Sequence, residues 1–132
     1  MIKTYTRAAA VAAALTMAMA TMPAWADVKD YEFQLVSKEV KKGDAVIAVK
    51  LVHKASGRAI PDAVIIAKRI DMQPDGMAGM TAPIEQVTST EPGVYLFKTS
   101  LVMEGGWRLS LAAKVQGETG TVENKLVLKA VQ

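Results

Sequence analysis

The chain has no cysteine and a single histidine among 132 residues. The first absence excludes disulfides, thiolate metal sites and a lipid-modified N-terminal cysteine. A hydrolytic triad would need His53 to meet a nucleophile and an acid, and no serine or threonine motif lies near it. Zinc sites draw on several Cys or His ligands and find one here. There is no glycine-rich phosphate loop and no carboxylate run at calcium-loop spacing. No catalytic constellation remains, so the chain is not expected to be an enzyme. Aromatic residues make up 5% of the sequence and no basic stripe interleaves with them, which excludes nucleic acid as a partner. No segment keeps a helical period, and no apolar run reaches the ~20 residues of a spanning helix.

The first 26 residues have another purpose. Lys3 and Arg7 form a positive leader, residues 8–20 are an apolar run of Ala, Met and Leu, and Ala24-Trp25-Ala26 is a small-x-small cleavage site. This pattern predicts a secretory signal peptide over residues 1–26, cleaved after Ala26. Residues 27–132 then form one exported domain, periplasmic or secreted, with no membrane span. Without Lys3 and Arg7 the 16 basic residues fall to 14, against 13 acidic ones. The domain is thus nearly charge-balanced, and the overall charge of +3 is largely an effect of the leader.

What the domain does have is strand patterning. Residues 31–36 alternate, with Tyr31, Phe33 and Leu35 on one face. Residues 44–53 are a β-branched run with Ala45, Ile47, Val49 and Leu51 in register, and residues 62–70 are similar. A short strand is expected at 84–88. Residues 94–103 and 107–115 read as a hairpin around Glu104-Gly105-Gly106, and a three-residue loop pairing Met103 with Trp107 aligns their apolar faces. Val122, Asn124, Leu126 and Leu128 mark a last strand. About seven short strands separated by turns predict an all-β, immunoglobulin-like antiparallel sandwich.

One stretch breaks this pattern. Residues 71–83, Asp-Met-Gln-Pro-Asp-Gly-Met-Ala-Gly-Met-Thr-Ala-Pro, read as a loop and hold three of the four methionines beyond residue 26. Thioether sulfur is soft and neutral, suits Cu(I) or Ag(I), and needs no deprotonation. Met72, Met77 and Met80 are therefore candidate ligands. If 84–88 is a strand, strand direction places Met103 at the same end as a fourth sulfur, with Trp107 as a shielding residue; without that strand the argument reverses and His53 joins Met103. With the strand, His53 falls at the opposite end and is the weaker ligand candidate. Methionine also fills irregular gaps, and Met72 continues the parity of Val64, Ile66 and Ile70, so a sulfur-rich apolar cap is the competing reading. On that reading the stretch is an adaptable docking surface for an envelope partner.

The leader, the Ser56-Gly57 to Ala63-Val64 turn and strand, Asp71-Met72 through Met80, Glu91-Pro92-Gly93-Val94-Tyr95 and Met103-Glu104-Gly105-Gly106-Trp107-Arg108-Leu109 together resemble the FixH-like/YtkA-like family of small exported bacterial domains. The resemblance implies an immunoglobulin-like sandwich in the periplasm and an association with copper. It also implies partners: a copper-acceptor protein of oxidase assembly, or a heavy-metal efflux complex. Membrane-bound FixH proteins keep an N-terminal spanning helix, whereas a cleaved leader is expected here, which turns the expectation toward a soluble copper-binding or efflux accessory.

Overall fold

The computed structural model describes residues 28–132, so the expected signal peptide lies outside the described residues. Nine strands occur among them: β1 Tyr31–Leu35, β2 Glu39–Lys41, β3 Gly43–His53, β4 Val64–Met72, β5 Met77–Thr81, β6 Ile84–Val87, β7 Val94–Leu101, β8 Gly105–Lys114 and β9 Val122–Val131. They form a four-stranded sheet, β1-β3-β7-β6, and a five-stranded sheet, β2-β9-β8-β4-β5. This is an immunoglobulin-like order, with one sheet of the ABED kind facing one that carries the C, F and G strands. The seven expected strands are present. The two additional ones are short: β2, which pairs parallel with the end of β9, and β5, which lies inside the stretch expected to be a loop.

Alternation builds the core as the sequence predicts. Ile47, Val49 and Leu51 of β3, Tyr95, Phe97 and Leu101 of β7, and Trp107, Leu109, Leu111 and Ala113 of β8 are all buried. Tyr31 and Phe33 join them from β1, and Leu128 and Ala130 from β9.

Two expectations of register are corrected. The hairpin between 94–103 and 107–115 does not form. β7 pairs with β3 and β6, whereas β8 pairs with β4 and β9, so the chain crosses between sheets at 102–104. The shared odd parity is real, but it exists because both strands face one core from opposite sheets. Parity cannot separate a cross-strand neighbour from a residue across the sandwich, since both point inward.

The second correction concerns β4. Its pairing with β8 shifts between Ile65 and Ala67, a β-bulge at Ile66. One extra residue inverts which side chains face inward. Val64 and Ile66 are therefore exposed, whereas Ile70 and Met72 beyond the bulge are fully buried.

The far end of the sandwich is closed by Tyr95. Its hydroxyl donates to the Ile60 carbonyl at 2.7 Å and accepts from the Ala63 amide at 2.9 Å. This clasps the segment that crosses from β3 to β4, where Asp62 adopts a positive φ of 63°. Burial pushes the Tyr95 hydroxyl above its ordinary pKa.

Candidate functional site

The methionine stretch is a structured hairpin. β4 ends at Met72, a 3-10 turn spans Gln73–Asp75, and β5 returns antiparallel. Gly76 closes the turn with φ 80° and donates its amide to the Gln73 carbonyl at 2.8 Å. Glycine suits that left-handed position because it has no β-carbon to clash. Pairing runs from Met72–Met77 to Asp71–Thr81, so residues 78–80 bulge out of the ladder. That bulge also blunts the outer edge of the sheet.

The hairpin folds onto the start of β8. Asp75 Oδ2 accepts from the Gly106 amide at 3.1 Å. A β-carbon at Gly105 would overlap Asp75 Oδ2 and come within 3.0 Å of Met72 Cε; one at Gly106 would come within 2.9 Å of Pro74 Cβ. The two glycines allow this close approach, and Gly105 also holds a φ of 132°. Residues 73–75 thus lie on the 105–106 corner, as strand direction predicted.

A buried carboxylate holds the base of the hairpin. Asp71 is fully buried, although it points away from the core. Its Oδ2 accepts from Arg69 Nε at 3.0 Å and Arg108 Nη2 at 3.1 Å, and its Oδ1 from the Gln73 amide at 3.0 Å. Burial by itself would raise its pKa. The Gln73 amide and the two guanidiniums outweigh that effect and hold the carboxyl below its ordinary value. Arg69 reaches further, donating from Nη2 to the Ala78 carbonyl at 2.9 Å, which fixes the bulge.

The four thioethers are differently placed. Met72 is 0% exposed and belongs to the core, whereas Met77 and Met103 are 37% and 38% exposed. Met80 is partly buried and packs against the core. Met77 lies two residues past Asp75, and Met103 three before Gly106. At ~3.6 Å per residue the chain lets Met77 lie at most about 7 Å from Asp75, and Met103 at most about 11 Å from Gly106, measured at the backbone. Trp107 is fully buried and donates its indole N–H to the Met103 carbonyl at 3.1 Å. It underlies the corner and ties down the Met103 backbone.

His53 is remote from this corner. β3 and β7 pair antiparallel, so His53 at the end of β3 and Met103 just past the end of β7 occupy opposite ends. Ten steps of β3, ~33 Å at ~3.3 Å per residue, separate it from Gly43, the partner of Leu101. Its ring meets Tyr31 edge-on and its Nδ1 lies 3.2 Å from Ser56 Oγ.

Asp75, Asp71 and Arg108 did not stand out in the sequence. Pro74-Asp75-Gly76 signals a turn, but only the fold shows what that turn touches. Asp71 and Arg108 are cross-strand partners, a relation that requires the β4–β8 register. No group of three or more His, Cys, Asp or Glu side chains suited to a metal ion occurs among the described residues. No helix among them is long and apolar enough to cross a membrane.

A family model described as YtkA-like matches residues 25–112, and the chain belongs to that family. No protein of curated function matches it. A solved structure described as the crystal structure of the Lin-41 filamin domain aligns at 19% identity with a TM-score of 0.46, covering 77% of this chain and 92% of that one.

Proposed function

We propose that this YtkA-like domain is an exported, non-catalytic binding protein for Cu(I) or Ag(I). It acts as a carrier, buffer or accessory beside a copper-acceptor protein or a heavy-metal efflux complex in the periplasm. The observation that supports this reading is the Asp75–Gly106 contact, which holds the turn just before Met77 against the strand that begins just after Met103, both methionines being exposed. The donor chemistry suits a soft monovalent ion: the corner offers neutral sulfur, with no histidine or thiol beside it. Met77 and Met103 are the proposed ligands. Met80 is partly buried against the core, and Met72 and Trp107 are fully buried. The buried sulfur of Met72 makes it a packing residue first, and His53 has no part in this site.

A second reading is favoured by one observation. Met72 is wholly core and Met80 packs against it, as gap-filling methionines do. Exposed Met77, Val102 and Met103 would then be an apolar docking surface for an envelope partner.

Competition with a chromogenic Cu(I) chelator separates the two. The folded domain is expected to withdraw Cu(I), and Met77→Leu with Met103→Leu to weaken that withdrawal at least ~10-fold. No withdrawal by the unmodified domain, or unchanged affinity in the double variant, would sink the metal reading.

A further inference from the structure

We infer that Met77 and Met103 are the two surface oxidation sites of the domain for peroxide-class oxidants, and that their conversion to sulfoxide removes the exposed soft donors. With no cysteine in the chain, thioether oxidation is the reversible sulfur redox chemistry open to it. Within that chemistry the fold discriminates sharply. Met77 and Met103 each expose more than a third of their surface, whereas Met72 exposes none. Trp107, the other oxidisable group at this corner, is likewise fully buried.

The step is an oxygen transfer. A sulfur lone pair attacks one peroxide oxygen, the O–O bond breaks, and an S=O bond forms. The departing hydroxide takes up the proton of the transferred oxygen and leaves as water. Sulfur loses two electrons and the peroxide gains them. The product is polar and chiral, and its sulfur no longer presents a soft thioether lone pair. Met77 and Met103 lie on the surface, so they take the added oxygen without disturbing the core. Met72 can react only when the fold opens locally, which sets its rate at least ~100-fold lower.

The consequence for metal rests on the proposed soft-metal reading; the selectivity rests on exposure alone. Methionine methyl NMR on the metal-free domain follows each sulfur during treatment with hydrogen peroxide, with Met→Leu variants supplying the assignments. The Met77 and Met103 signals should convert together, Met80 more slowly and Met72 last, with the Trp107 indole signal unchanged. Conversion of Met72 alongside the others, or resistance of Met77 or Met103, overturns the site. After peroxide removal, the doubly oxidised domain should bind Cu(I) at least ~10-fold more weakly than the untreated one. Equal binding by the two forms overturns the loss of donors. If the untreated domain takes up no Cu(I), the proposed function falls, and the order of oxidation still decides the modification site.

Discussion

The Asp75 carboxylate accepts the Gly106 amide at 3.1 Å, joining the turn after β4 to the first residues of β8. Thirty-one residues separate the two in sequence. Their contact packs the turn that precedes Met77 against the start of β8.

Gly105 should tolerate no side chain. Its φ of 132° and the overlap of any β-carbon with Asp75 Oδ2 act together. Gly105→Ala is expected to destabilise the domain by ~1–3 kcal/mol, lowering the melting temperature by several degrees. Gly76→Ala has strain but open space around it, so it should cost only ~1 kcal/mol. Thermal melts of the two variants check the ranking. An unperturbed Gly105→Ala would show that the hairpin does not press on this corner.

Asp71 should make stability depend on acid. Its folded pKa is depressed, so its contribution is complete above the ordinary carboxylate value of 3.8 and is lost as pH falls through the lower folded value. Asp71→Asn keeps the shape but weakens both guanidinium contacts. Breaking a buried pair costs ~3–5 kcal/mol, and the 54% exposure of the Arg69 side chain screens part of that here, so ~2–3 kcal/mol is expected at pH 7. Urea midpoints measured from pH 7 down to pH 2 should show the two proteins converging. A constant gap would contradict the carboxylate's role.

The methionines should divide by burial when their stability effects are measured. Met72→Ala removes a fully buried side chain and is expected to cost ~2–5 kcal/mol. Met77→Ala and Met103→Ala should each stay within ~0.5 kcal/mol. Equilibrium denaturation gives all three values, and comparable losses would mean the surface pair is packed more deeply than the structure places it.

Tyr95→Phe tests the far end independently. It leaves the Ile60 carbonyl and the Ala63 amide without their shared hydroxyl, at ~1–3 kcal/mol. Its effect should add to that of Gly105→Ala, because the residues share no partners and lie at opposite ends. Denaturant titrations of the single and double variants check both. A coupling above ~0.5 kcal/mol would indicate that the two ends communicate.

Strand alternation alone was enough to specify the sandwich. Alternation over residues 31–36, the β-branched run of β3 and the odd-numbered apolar set Trp107, Leu109, Leu111 and Ala113 follow from a period of two, which needs no tertiary information. A strand at 84–88 would put Met103 at the methionine end and His53 away from it; the ends agree although β5 is an additional strand, because β5 and β6 lie in different sheets. Three matters waited for the fold. The partners of β7 and β8 did, because inward parity is shared by cross-strand neighbours and by residues facing across the core. The exposure of Val64 and Ile66 did, because the bulge that inverts β4 leaves no local mark in the sequence. The division of the thioethers into a buried Met72 and surface-exposed Met77 and Met103 did too, because it depends on Asp75 meeting Gly106 and on Asp71 meeting Arg108. Both are long-range contacts, and local residue preferences do not encode them.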